Sequence, residues 1–267
     1  KNVNKRGSRA LETLSSISKR AKSSLKGRRT RRRQITQSPP GLFKSSSKKS
    51  PHIFQPIANI NLTPEQLARI RTEYEKPVLQ SKELRAMGDE VRFPLSEHLL
   101  YRYFSSCGWQ DKFYGLSIAE SAELSIRWRK SFGMQRLNEA ARGPLRHLVA
   151  KEFVYQKGMD QGHRAVLYFK IRKFAGGATA SSDDYLQVLM HSIEKANTLS
   201  ERGAQASGQF VAVCDLRGMS IENMPPLGTM KDAIGLLKRH YPYRMYKLYI
   251  VNSGLFFTTI WRVLRPF

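Results

Sequence analysis

Three short runs rich in β-branched and aromatic residues, Ala165–Ile171, Phe210–Cys214 and Leu248–Val251, stand in the second half of the chain, and an amphipathic helical pattern separates each from the next. From His163 the apolar period shortens from 3.6 to 2. Between the first two runs, Asp184–Ser200 carries Tyr185, Val188, Leu189 and Ser192 at positions i, i+3, i+4 and i+7. Pro226–His240 forms a second helical pattern, and Leu255–Leu264 predicts a last, apolar helix. Strands joined through helices need crossover connections, so the pattern predicts an α/β fold with a mostly parallel sheet.

Upstream, the punctuation is helical. Thr63-Pro64-Glu65-Gln66 is a start signal, with Thr as N-cap, Pro in the first turn and Gln three residues on. Leu67, Ile70 and Tyr74 then share a face. Ser96–Ser106 predicts a helix burying Leu99, Leu100, Tyr103 and Phe104, with Gly108 beyond its end. Ser117-Ile118-Ala119-Glu120 is a second capping box, opening a helix that places Ser121, Leu124 and Trp128 on one stripe and ends by Gly133. Residues 62–150 therefore read as a small all-helical unit.

Charge divides the chain differently. Residues 1–50 hold 16 Lys and Arg against one acid, Glu12, whereas the rest carries 30 against 20. Such a segment repels itself and has little to bury, so residues 1–61 read as a disordered basic tail rich in Ser, Arg and Lys. Its charge suits an anionic membrane surface, where each Lys or Arg contributes about 1 kcal/mol. It would serve phosphate contacts on nucleic acid equally well, although no interleaved aromatics offer base stacking. An Arg- and Ser-rich leader also fits a transit peptide, so tether, targeting segment and nucleic-acid arm stay open. Two cysteines, Cys107 and Cys214, cannot build a disulfide scaffold and fit a reducing compartment.

No catalytic constellation emerges. Phosphate-loop and dinucleotide fingerprints are absent, and Asn252-Ser253-Gly254 lacks the preceding glycine of a nucleophile elbow. The six histidines, His52, His98, His147, His163, His191 and His240, include no i, i+4 pair for zinc. Asp215 ends a strand, where an α/β enzyme would keep a carboxylate. The simpler role is to cap the turn before Arg217-Gly218. The expectation is a non-enzyme with no cofactor and no metal.

Several segments carry a family resemblance. Gly158 through Leu167, with Asp160, Gly162 and Arg164, resembles the first strand of the CRAL-TRIO lipid-binding family; Val213-Cys214-Asp215-Leu216-Arg217-Gly218 is similar to its central strand. His240-Tyr241-Pro242-Tyr243-Arg244, Leu248-Tyr249-Ile250-Val251-Asn252 and Arg265-Pro266-Phe267 resemble its closing signature, and Leu99–Phe104 with Trp128-Arg129 its N-terminal helical unit. The resemblance implies a sheet flooring an apolar cavity that holds one lipid or isoprenoid beneath a movable gate helix. Residues 151–267 would be this lipid-binding domain, cut short at its C-terminus, since the apolar face of the predicted last helix has nothing to cover it. The lining it implies is Tyr185, Val188, Leu189 and Ser192 on the first crossover helix, Phe210, Ala212 and Cys214 on the central strand, and Leu236, Leu237, Tyr243, Met245 and Leu248 after it. Periodicity alone would make the same residues ordinary helix–sheet core.

Departures from the family pattern bear on the cargo. Tyr243 stands where phosphatidylinositol-exchanging members carry Glu, and Phe210 and Ala212 stand where they carry small hydroxyl residues. Burying an inositol phosphate without those partners would cost several kcal/mol. The expected ligand is therefore a more apolar lipid, such as an isoprenoid, a sterol or a fatty acyl compound. The expected setting is cytoplasmic and peripheral to an anionic membrane. The alternatives are a regulatory module that contacts a protein partner without exchanging lipid, and nucleic-acid binding through the tail.

Overall fold

The computed structural model describes residues 60–174, 181–202, 207–220 and 223–254, together with Phe257 and Arg262. The basic tail through residue 59, and the predicted last helix apart from those two residues, lie outside them.

Both capping boxes form as the sequence predicts. In α1 (Pro64–Tyr74), the Gln66 backbone N–H donates to Thr63 Oγ1 at 3.2 Å, while the Thr63 N–H donates to Gln66 Oε1 at 3.0 Å. Two short helices follow, α2 (Pro77–Gln80) and α3 (Lys82–Glu90). Neither has a run long enough to announce itself; Pro77 and the Ser81 cap start them. Next come α4 (Glu97–Ser106), capped by Ser96, and a small hairpin of β1 (Lys112–Phe113) and β2 (Leu116–Ser117). Its two central residues, Tyr114 and Gly115, both have positive φ, the conformation that a tight right-twisted hairpin turn requires. Ser117 then caps α5 (Ile118–Phe132), and Gly133 ends it with φ 77°.

The stripe predicted for α5 needs correction. Leu124 is exposed, and the buried face is instead Ile118, Ala122, Ser125, Ile126 and Arg129 with Ala119 and Ser121. At 100° per residue Leu124 points about 200° away from Ala122. Other helices pack on the Ala122 side, where small side chains allow close approach.

Beyond Gly133 the chain enters a second core. α6 (Leu137–Arg142) and α7 (Arg146–Val149) bury Leu137 and Leu148 among residues of the sheet, whereas Ile70, Leu79, Leu100, Tyr103 and Ile126 form a cluster of their own. The sheet comprises β3 (Val154–Met159), β4 (Ala165–Lys170), β5 (Phe210–Asp215) and β6 (Met245–Val251), in the order β3-β4-β5-β6. β3 runs antiparallel to β4, and the other two pairs are parallel. As the alternation demands, the parallel pairs are joined by long helices, α8 (Ser182–Ser200) and α9 (Leu227–His240). β3 escapes periodicity because it is a bulged edge strand whose Gln156-Lys157-Gly158 centre is polar.

Candidate functional site

The site implied by the resemblance divides into a closed half and an open half. α8 begins with the Ser181–Asp184 capping box, which fixes the direction of its apolar face. That face brings Tyr185, Val188 and Leu189 into one buried cluster with Ala165 and Leu167 of β4 and Phe210 and Ala212 of β5. Tyr185 stacks on Phe174, ring centroids 4.0 Å apart, and meets Phe153 edge-on at 5.4 Å. Ser192 is buried beside them, its hydroxyl donating to the Val188 carbonyl at 3.0 Å, so it presents no free donor. At the far end of α8, Ser200 Oγ accepts the Ala165 N–H at 2.8 Å and locks the helix to the first parallel strand. The helix and the sheet here pack as a core.

The open half is the β6 side. Register places Met245 beside Phe210 and Leu248 beside Ala212 on the same sheet face. Yet Met245 and Leu248 are each 45% exposed, against 2% and 1% for their neighbours on β5. Leu236 and Leu237 of α9 are half-buried against the core cluster. Cys214 is also half-buried, and burial together with the adjacent Asp215 pushes its thiol up to about 11, so it behaves as an apolar side chain. Tyr243 sits at a positive φ of 57°, largely exposed, with its ring edge-on to Tyr101 at 5.9 Å.

Asp215 takes the structural role. Its Oδ1 accepts the Arg217 N–H at 3.0 Å and the Asn252 side-chain amide at 2.7 Å. Burial opposes its ionisation, but these bonds and the charges of Arg217 and Arg172 outweigh burial and hold the carboxyl below its usual range. Among the described residues no group of three or more His, Cys, Asp or Glu could hold a metal ion, and no helix is long and apolar enough to cross a membrane.

Sequence reasoning missed the exposure of Tyr246 and Tyr249 on β6, which widens the open apolar surface. Their alternation with Met245, Leu248 and Val251 gives an apolar strand on both faces, the usual mark of a buried one. It also missed the burial of Arg102, although Arg102 lies three residues from Leu99 on the face of α4 that must be covered.

Comparison with known proteins places this geometry. The CRAL/TRIO domain model matches residues 150–267. The phosphatidylinositol transfer protein PDR17 of Saccharomyces cerevisiae is 22% identical over 191 residues, covering 68% of this chain and 52% of that protein. The SEC14 cytosolic factor of Candida glabrata is 27% identical over 196 residues, covering 69% and 63%. The CRAL-TRIO domain-containing protein YKL091C of Saccharomyces cerevisiae is 24% identical over 231 residues, covering 79% and 72%. The chain thus spans between about half and under two thirds of the first two relatives. The crystal structure of Sfh5 superposes with a TM-score of 0.55 at 16% identity over 78% of this chain and 77% of that one, which is a likeness of fold.

Proposed function

We propose, for a chain whose residues 150–267 match the CRAL/TRIO domain model, a non-catalytic protein that binds a hydrophobic lipid and carries it between membranes. The observation that carries this reading is the half-open sheet face: Met245 and Leu248 extend the apolar floor of Phe210 and Ala212 out from under α8 and leave it exposed. An apolar guest laid there removes that surface from water, at about 25 cal/mol for each Å² covered. Phe210, Ala212 and Tyr243 offer neither the carboxylate nor the small hydroxyls that a sugar phosphate would need, so the cargo is an isoprenoid, sterol or fatty acyl lipid. The consumption of Asp215 as a turn cap supports the absence of catalysis. The basic residues of 1–50 would hold the chain peripherally on an anionic cytoplasmic membrane face.

The closed packing of Tyr185, Val188, Phe210 and Ala212 favours a second reading, a regulatory module that contacts a protein and exchanges no lipid. Solvent extraction of the purified chain followed by mass spectrometry separates the two. A stoichiometric apolar lipid is the expected result. Phosphatidylinositol as the sole species would overturn the cargo class, and an empty protein would overturn lipid carriage. Flotation with vesicles of phosphatidylcholine alone or with added phosphatidylserine tests the tether: binding should need the acidic lipid and vanish on deleting residues 1–50.

A further inference from the structure

The two crossover helices hold to the fold very differently. α8 buries Tyr185, Leu186, Val188, Leu189, Met190 and Ile193 along its length. Among the described residues α9 buries only Thr229, in its first turn, and His240, at its last position. Between these ends Ala233, Leu236 and Leu237 rest half-buried on the cluster that holds Phe210 and Ala212. α9 is thus tied at two points and laid on the core between them.

The two ties are unequal. At the C-terminal end the His240 ring stacks on Trp128 of α5, centroids 4.1 Å apart and planes 4° from parallel, and shares a 2.9 Å hydrogen bond with the buried Ser125 hydroxyl. Lys238 and Arg239 fall in the last turn, where cations suit the negative end of the helix dipole. The N-terminal end lacks such support: Pro226 offers no side-chain cap, and no acidic residue stands in the first turn. Gly228 lies in that turn with open space where a Cβ would go, and so does Gly235 farther along. Glycine inside a helix lowers its stability relative to alanine. The bond tying this end to α8 joins two hydroxyls, Ser182 Oγ and Thr229 Oγ1, at 2.7 Å. Such a neutral pair contributes little in net terms, because water replaces it when it parts.

We propose that α9 is a lid that hinges where His240 meets Trp128, unlatches where Thr229 meets Ser182, and swings out to admit a lipid to the sheet floor. What enters rests on the lipid-carrier reading; the motion itself follows from the unequal ends of the helix. Lifting α9 bares Leu236, Leu237 and the part of the cluster beneath them, and so enlarges the apolar floor that Met245 and Leu248 already leave exposed. Segments with few buried apolar side chains are the ones that open locally, well before the fold is lost. As the crossover between β5 and β6, this lid is a different element from the gate helix that the family resemblance implies.

Hydrogen–deuterium exchange of the 267-residue chain, read by mass spectrometry of peptic peptides, tests the lid. Amides of α9 should exchange at least tenfold faster than those of α8. Thr229→Val should speed α9 several-fold and leave α8 unchanged, whereas Gly235→Ala should slow α9 by up to about fivefold, the helix preference of alanine over glycine. Hydroxyls in contact leave Cβ atoms within disulfide reach, so Ser182→Cys with Thr229→Cys can lock the latch. Once oxidised, this variant should bring α9 exchange towards that of α8 and release its co-purified lipid to phosphatidylcholine vesicles at least tenfold more slowly, with both effects reversed by dithiothreitol. Equal exchange in α8 and α9 of the native chain would overturn the lid, whether or not the variants fold. So would equal lipid release from the oxidised and reduced latch. A chain that carries no lipid yet shows the fast α9 would overturn the carrier reading and leave the lid standing; a lipid-bearing chain with a slow α9 would do the reverse.

Discussion

The Arg129 guanidinium grips the Glu194 carboxylate with two hydrogen bonds, 2.9 Å from Nη1 and 2.7 Å from Nη2, and so ties α5 to the crossover helix α8. The same guanidinium donates to the Val91 carbonyl and lies over the Phe93 ring at 4.8 Å, while the Tyr241 hydroxyl donates to the same carboxylate at 2.7 Å. The helical unit and the sheet unit are therefore joined by one buried charge with all its partners in place. The Trp128-Arg129 pair, which carries part of the family resemblance, has its packing reason here.

Removing one partner strands the other. Arg129→Met should cost about 3–5 kcal/mol in urea denaturation, the range for breaking a buried ion pair. Burial opposes ionisation of Glu194, yet the Arg129 charge and the hydrogen bonds from Arg129 and Tyr241 prevail and hold its carboxyl below the usual range. Stability from this group is thus present above the unfolded carboxyl value, near 4.3, and is lost as pH falls through the lower folded value. Arg129→Met should flatten that acid limb.

His240 titrates in the same direction for a different reason. It is buried, stacks face to face on Trp128 at 4.1 Å, and shares a 2.9 Å hydrogen bond with Ser125, whose hydroxyl accepts the Tyr103 phenol at 2.7 Å. Burial first, then the charges of Arg239 and Arg129, lower it to about 4. The unfolded chain therefore binds more protons between about pH 6.5 and 4, and stability should fall by roughly 3 kcal/mol across that window as pH drops. Equilibrium unfolding at a series of pH values checks this, and in His240→Gln that part of the slope should be gone.

The closed and open halves of the lining should respond oppositely. Leu189→Ala, under α8, should cost about 2–5 kcal/mol by leaving a cavity. Met245→Ser and Leu248→Ser, on the exposed strand, should change stability by no more than about 0.5 kcal/mol and yet lower the amount of co-purifying lipid. Equal destabilisation at both places would mean that β6 is ordinary core.

Gly133 ends α5 in the left-handed conformation with open space where a Cβ would go. Gly133→Ala should therefore cost about 1 kcal/mol from backbone strain alone, without a packing penalty, and thermal unfolding reads it directly.

Features encoded within one helical turn or one strand are legible in the chain itself. The capping boxes at Thr63 and Ser117, the Gly133 terminus, the alternation of strands with helices and the Asp215 turn each depend on residues a few positions apart. Tyr185, Val188, Leu189, Phe210 and Ala212 share one buried cluster, as their periodicity expects, but period and composition do not separate a packed interior from the wall of a cavity. Only the tertiary arrangement decided that Leu124 faces outward, that β6 stays half-uncovered beside a closed β5, and that Arg102 is buried. Those outcomes rest on neighbours tens to more than a hundred residues away, and the free energy of a side chain depends on which neighbours and how much water surround it once the chain has closed upon itself.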